Sequence, residues 1–348
     1  MIYCKITKNE FQRSRAMKLK PKILVVYTGG TIGMIKSELG TYVPFSVDGL
    51  LGYVPQIYNL GVDIVIESFE KPLDSAFVGP KQWLNISKII TKNMDLVDGF
   101  VVLHGTDTMA YTSSALSFLL RGLNKPVILT GAQVPIYEEK SDGVDNFMNA
   151  LEVASQGVVK EVALWFHKTL YKGACVTKSD SKSFSGFSSP NHDFLATKDK
   201  VIKYNKDAFD KGKFDRVFLN NIDAEILYLK FLPSINKEVQ AKLIRENPIQ
   251  GIVLSVFGSG TVPLTYDDLL SVALKDKKIP IVAVTECYRG GVEIGKYEAG
   301  SILNDLNVIS GEKMTKEAAI TKLMVAIGNF KTEQEIRDYL IENQVGEL

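Results

Sequence analysis

The sequence predicts an α/β protein of two domains: a larger N-terminal three-layer α/β/α domain with a mainly parallel sheet, and a smaller C-terminal α/β domain. Three observations carry this. Short apolar runs alternate with longer amphipathic stretches along most of the chain. The apolar runs are continuous rather than alternating, as in strands covered by helices on both faces of a parallel sheet. The alternation also lapses once, across a polar stretch, and then resumes, and 348 residues is ample for two domains of about 100–200 residues each.

In chain order, Ile23–Tyr27 (ILVVY) is β-branched and runs into the turn Thr28-Gly29-Gly30, a strand followed by a tight bend. Gln82–Lys92 spaces Trp83, Ile86, Ile89 and Ile90 at helical intervals. Phe100–Leu103 is a buried strand ending at His104-Gly105-Thr106-Asp107. Met109–Arg121 then reads as a helix closed by Gly122. Val127–Leu129 and Val162–Phe166 are further strands, with a helix over Asp145–Ala154 between them. Residues 171–215 are rich in lysine, serine and aspartate and read as a long irregular region holding the domain linker. From about Ala224 the pattern returns with strand Ile226–Leu229, helix Lys237–Arg245, strand Gly251–Phe257, helix Tyr266–Lys275 and strand Ile281–Thr285. The expected divisions are a tail or misassigned start over 1–16, an N-terminal domain over 17–205, a linker over 206–223 and a C-terminal domain over 224–348.

Composition narrows the function by exclusion. Forty-one basic residues nearly balance 40 acidic ones, so no nucleic-acid or other polyanionic partner is expected. No apolar run reaches the ~18 residues of a membrane span, and residues 1–16 lack the apolar core of a secretory signal. Cys4, Cys175 and Cys287 are odd in number and have no metal-like spacing, which fits a reducing compartment.

Ligands of parallel α/β sheets sit beyond the carboxyl ends of strands. Two turns hold that place here, Tyr27-Thr28-Gly29-Gly30-Thr31-Ile32-Gly33 and His104-Gly105-Thr106-Asp107-Thr108. Each sets a threonine beside glycines that let a backbone approach a ligand closely. Either turn alone reads as an ordinary strand–helix bend with capping residues; the pair favours a site. The first turn lacks the ending of a phosphate loop, and its adjacent Gly29 and Gly30 do not make the dinucleotide pattern. There is no G-x-S-x-G elbow and no H-E-x-x-H helix, and only His104, His167 and His192 offer an imidazole. A hydroxyl working here needs another activator, and a desolvated lysine can serve. Spacing does not choose which lysine.

At this point the residues become specific. YTGGTIGM at Tyr27–Met34 and LHGTDTMAYT at Leu103–Thr112 resemble the two signature segments of the bacterial type I (cytoplasmic) L-asparaginases. Further similar segments follow in order: Pro72-Leu73-Asp74-Ser75, Leu129 to Pro135, Ser141-Asp142-Gly143 with Asn146 and Asn149, Thr177-Lys178, Ser189-Pro190-Asn191 and Thr285-Glu286-Cys287. The resemblance runs from about Lys22 to Leu348. It implies hydrolysis of L-asparagine to L-aspartate and ammonia, without metal or cofactor, by a cytoplasmic homodimer or homotetramer. It implies Thr31 as the nucleophile that forms an acyl-enzyme, and Thr106, Asp107 and Lys178 as a second triad in which Lys178 helps activate Thr106. It further implies Asp107 for the substrate α-ammonium, Ser75 for its α-carboxylate, Asp74 and Thr106 as further substrate-binding residues, and Tyr42 on a mobile loop that closes over substrate and polarises the nucleophile.

The sequence departs from the family at a second, regulatory asparagine site that some type I enzymes carry. Cys287 matches there, but Ser255 stands where an arginine is expected and Gly260-Thr261 replaces a Gly-Asn pair. Losing a guanidinium weakens the case for carboxylate binding at that place. The competing readings are an L-glutaminase-type amidohydrolase, an ammonia-supplying subunit of a tRNA-dependent amidotransferase, which would be expected to carry an additional N-terminal domain, and a non-catalytic amino-acid sensor.

Overall fold

The computed structural model describes residues 20–44, 47–209, 214–222, 224–233, 237–263, 278–296 and 298–348. The expected helix Tyr266–Lys275 and the tail over 1–16 lie outside the described residues.

The first strand, β1 (Lys22–Gly29), shows why the sheet forms in three layers. Successive strand side chains point to opposite faces. Leu24 and Val26 accordingly join a core with Trp83, Ile86 and Leu116, whereas Ile23, Val25 and Tyr27 join a second core with Phe147 and Leu151. Both faces of β1 are therefore apolar, and the strand reads as a continuous hydrophobic run. The same holds for β3 (Gly99–Leu103), β4 (Val127–Thr130) and β5 (Val162–Phe166), all buried throughout. The strand β2 (Asp63–Leu73) lies at the sheet edge; its mixed exposure follows from having only one strand neighbour.

Helix α1 (Pro80–Asn93) covers one face with Trp83, Ile86, Ile89 and Ile90. It starts on Pro80 at its first turn, where a missing N–H costs nothing, and the Gln82 side chain accepts the Gly79 N–H at 3.1 Å. Helix α2 (Met109–Leu119) lies on the same face and is buried almost all round. It ends two residues before the expected Arg121: Leu120 and Arg121 leave the helix to pair with Phe218 and Val217. Gly122, expected to close the helix, instead turns the chain at φ 72° against the backbone of Asp215 and Arg216. Helix α3 (Gly143–Gln156) covers the opposite face and ends on left-handed Gly157.

The large sheet has eight strands in the order β10-β9-β6-β5-β4-β3-β1-β2. Its last three additions, β6 (Thr169–Lys172), β9 (Ala196–Lys198) and β10 (Ile202–Tyr204), are antiparallel; β6 runs into the stretch expected to be irregular, and β9 and β10 lie within it. That stretch also holds a short hairpin of β7 (Thr177–Lys178) and β8 (Phe187–Ser188). The parallel part runs β2-β1-β3-β4-β5, so the chain reverses its direction of growth between β1 and β3. Such a switch point opens a crevice at the carboxyl ends of those two strands.

The C-terminal domain is a parallel four-stranded sheet, β11 (Ile226–Lys230), β12 (Gly251–Val256), β13 (Ile281–Thr285) and β14 (Ile309–Ser310), in that order. One face packs with helix α4 (Lys237–Glu246) through Ala241 and Ile244. The other packs on helix α5 (Lys316–Asn329), which also lies against α2 of the first domain. Val253, Val282 and Leu323 thus belong to the same core as Leu116 and Phe118, and the two domains share one apolar interior. Helix α6 (Glu333–Ile341), capped by Thr332 and Glu335, leads into a tail that crosses back. There Glu347 pairs with Lys322 with neither side chain exposed, and the Gly346 carbonyl lies 3.4 Å from the Cys175 sulfur. Asn191 makes a further tie, donating to the carbonyls of Gly290 and Lys313.

Candidate active site

Both threonine turns lie at the switch point, and glycines let them touch. Gly30 sits at φ 89°, and a Cβ there would lie 2.2 Å from the Gly105 nitrogen. A Cβ on Gly105 would in turn lie 2.7 Å from the Ser75 side chain. The turn after β1, the turn after β3 and the turn after β2 therefore meet backbone against backbone. Thr28 adds a cross-tie by donating its hydroxyl to the Leu103 carbonyl at 2.9 Å.

Thr31 opens a single 3-10 turn, Thr31–Gly33, and is partly exposed. Ser75 is 3% exposed, accepts the Asp107 N–H at 3.2 Å and receives the Thr108 hydroxyl on its carbonyl at 2.6 Å. Thr106 is 6% exposed. Lys178 reaches it from β7: its Nζ lies 2.9 Å from Thr106 Oγ1 and 2.6 Å from Asp107 Oδ1. The Lys178 side chain is 17% exposed and that of Asp107 65%, so the cluster opens to solvent on the aspartate side. The structure thus brings together Thr106, Asp107, Lys178 and Ser75 by direct contact, with Thr31 on the adjoining turn.

Two expected residues sit differently. Asp74 spends its carboxylate locally, accepting the Ala76 N–H at 2.9 Å and so capping the turn Ser75–Phe77. Tyr42, on a short strand paired with Met34–Lys36, donates its hydroxyl to Glu138 at 2.5 Å. That bond to a carboxylate pushes the phenol up to about 12.

Three residues to which the sequence assigned no role also stand around the site. Gln133, just beyond β4, offers its Oε1 to Thr106 at 3.4 Å and donates its Nε2 to the Ser183 carbonyl. Asp142 holds the Gln133 backbone by accepting its N–H and that of Val134. Burial raises the Asp142 carboxyl while those N–H bonds oppose the shift. His104, fully buried, faces the Gly105 carbonyl at 2.7 Å and the Thr112 hydroxyl at 2.9 Å, and Thr112 also receives the Trp83 indole. Desolvation pulls His104 down to about 4, so it is neutral at pH 7. In the sequence, Gln133 and Asp142 stand within segments that resemble the family, and His104 within a signature segment and among the three imidazoles, without a role attached.

Ser255 and Cys287 line a cavity of about 250 Å³ between the domains, together with Tyr228, Lys230, Thr177 and Glu317. Ser255 Oγ is buried there without a hydrogen-bond partner. Thr261 lies elsewhere, its backbone bridged to Phe257. Among the described residues no group of three or more histidine, cysteine, aspartate or glutamate side chains is placed to hold a metal ion.

The N-terminal asparaginase model matches residues 22–210, and the glutaminase/asparaginase C-terminal domain model matches residues 225–340. The chain belongs to the asparaginase family. It is 36% identical to L-asparaginase 1 of Escherichia coli K12 over 334 residues, 94% of this chain and 98% of that one. Among solved structures, the thermostable L-asparaginase from Thermococcus kodakarensis superposes with a TM-score of 0.87 at 33% identity, covering 94% of this chain and 99% of that one. L-asparaginase I from Vibrio cholerae gives 0.84 at 34%, again covering 94% and 99%. As a family member the chain has the expected two-domain α/β architecture, and among the described residues no helix is long and apolar enough to cross a membrane.

Proposed function

We propose that this asparaginase-family protein hydrolyses L-asparagine to L-aspartate and ammonia through a threonine acyl-enzyme. The observation that carries the reading is the Lys178–Thr106–Asp107 cluster, set backbone to backbone against the turn bearing Thr31.

In this reading the substrate α-ammonium docks on Asp107, whose carboxylate is exposed enough to receive it, and the α-carboxylate takes the Ser75 hydroxyl. A fixed anion and a fixed hydroxyl orient an amino acid by its two charges. Thr31 Oγ then attacks the side-chain amide carbon. The C–N bond breaks, ammonia leaves with the hydroxyl proton, and an ester to Thr31 remains. Backbone N–H groups of glycine-rich turns are suited to hold the oxyanion, each worth about 2.7–4 kcal/mol in comparable sites. For the second step, the substrate ammonium takes the carboxylate that Lys178 now holds. Lys178 is left facing Thr106, which directs water onto the ester and returns free Thr31 and aspartate. In this reading Tyr42 exchanges its bond to Glu138 for one at the nucleophile as its loop closes.

The test is ammonia release from L-asparagine and, in parallel, L-glutamine. Thr31→Ala and Thr106→Val should each abolish most of it while the protein stays folded; full activity in both refutes the two-threonine mechanism. A preference for glutamine would replace the substrate assignment. We further place the protein in the cytoplasm, in keeping with free Cys175 and Cys287, with the domain boundary within 206–223. We expect a homodimer or homotetramer, which light scattering would distinguish from a monomer.

A further inference from the structure

Glu317 is the second residue of helix α5, so it belongs to the C-terminal domain, yet it is 3% exposed and faces the catalytic side of the first domain. Its Oε1 accepts the Thr177 hydroxyl at 2.9 Å. Its Oε2 is buried with no hydrogen-bond partner. Thr177 and Lys178 form the two-residue strand β7, and neighbouring strand residues point to opposite sides. Thr177 accordingly reaches Glu317 while Lys178 reaches Thr106.

The hairpin carrying Lys178 is short. Beyond its ladder it is closed by the Ser179 and Asp180 N–H groups on the Gly186 carbonyl and by the Ser189 hydroxyl on the Cys175 carbonyl, and Gln133 donates to Ser183 at its tip. It pairs over two residue pairs, Thr177 with Ser188 and Lys178 with Phe187. Its far strand is anchored in the first domain, where Phe187 packs edge-on to Phe166 at 4.9 Å and receives the Tyr171 hydroxyl on its carbonyl. Beyond that pairing, the near strand has the Thr177–Glu317 bond as its side-chain tie to the second domain. A carboxyl buried with one oxygen unpaired is costly, and an apolar side chain of similar volume generally packs more stably in such a place. Stability alone therefore does not account for an acid here.

We infer that Glu317 is a positioning residue for Lys178: from the C-terminal domain it holds the Thr177 hydroxyl and so fixes the strand from which Lys178 reaches Thr106. The inference rests on the proposed role of Lys178. It makes the second domain a working part of the site, since the register of α5 against α2 then sets where the lysine stands.

The experiment measures kcat and KM for L-asparagine, with urea unfolding, on the full chain carrying Glu317→Leu, Glu317→Gln, Thr177→Val, the Leu/Val double variant and Lys178→Met. Displacement of a reacting group by about 1 Å can cost a hundredfold, so Glu317→Leu and Thr177→Val should lower kcat about tenfold to a hundredfold, with KM within about twofold. The double variant should be no worse than the poorer single. Glu317→Gln keeps the acceptor oxygen and should recover most of the rate. The urea midpoint of Glu317→Leu should match or exceed that of the parent. Parental kcat in Glu317→Leu, or a loss that Glu317→Gln shares in full, overturns the inference while an inactive Lys178→Met leaves the mechanism standing. Full activity in Lys178→Met overturns both.

Discussion

The pair formed by Lys322 and Glu347 offers the sharpest measurement of what joins the end of the chain to the rest. Both side chains are fully buried, and the nitrogen lies 2.5 Å from Glu347 Oε1. Lys322 also donates to the carbonyls of Leu340 and Glu342 at 2.9 and 2.7 Å. Glu347 accepts the N–H groups of Gln344 and Val345. Glu347→Ala strips one charge from this arrangement and leaves an ammonium with two carbonyls and no directly paired carboxylate, Glu312 and Glu342 acting only through space. Desolvation already pulls Lys322 below the usual lysine range, with Glu347 the leading opposing influence. Breaking one side of such a buried pair typically costs about 3–5 kcal/mol. With a urea slope of about 2–3 kcal/mol per molar, a 4 kcal/mol loss moves the midpoint down by roughly 1.3–2 M. The double variant Lys322→Met with Glu347→Leu removes both charges and fills the space, and should regain most of that loss. The assay is equilibrium urea unfolding followed by far-UV circular dichroism. The reasoning fails if Glu347→Ala stays within about 0.5 kcal/mol of the parent, which is the range of an ordinary surface change.

Two further outcomes follow from the site. His104 is held neutral, with its value lowered to about 4 in the fold against 6.5 in an unfolded chain. The unfolded state therefore binds a proton first as pH falls, and the stability contributed by neutral His104 is present above 6.5 and lost on the way down to 4. Between pH 7.5 and 5 this contributes a loss of about 2 kcal/mol. Urea unfolding at both pH values should show the parent losing that much more than His104→Gln; equal losses would refute it. Ser75→Ala removes the hydroxyl assigned to the substrate carboxylate, where a bond to a charged group is worth about 1.5–3 kcal/mol. Steady-state kinetics should show KM for L-asparagine raised roughly tenfold to a hundredfold and kcat changed far less. An unaltered KM would remove Ser75 from substrate binding.

The parallel centre of the fold was legible because burial on two faces forces β1, β3, β4 and β5 to be apolar at every position. The edge strand β2 escaped for the converse reason. With DIVIESFEKPL it mixes charges with apolar residues and carries Pro72 one residue before its end, as a strand with one neighbour can. The strands of residues 169–204 are two to four residues long, and pairing chosen by the tertiary fold outweighs their polar composition. The closing helices α5 and α6 carry caps at Thr315 and Thr332, signals present in the sequence but left unread. Within the site, Thr31, Thr106 and Asp107 stand on turns that spacing marks. Lys178 is 71 residues beyond Asp107, and only resemblance singled it out. Gln133 and Asp142 stand in segments that resemblance marks, but their contacts, like those of Glu317, depend on the tertiary fold.

The three turns that meet through Gly29, Gly30 and Gly105 leave no space for a side chain between them: a Cβ at Gly29 would fall 2.3 Å from the Leu73 carbonyl oxygen. The floor of the cleft is consequently a casting made of main chain, and neither selection nor a mutant library can reshape it one residue at a time. Adjustable parts lie on the rim, at Gln133, Ser183 and the Tyr42–Glu138 gate. A search for variants with altered amide preference should therefore randomise the rim and leave the floor untouched.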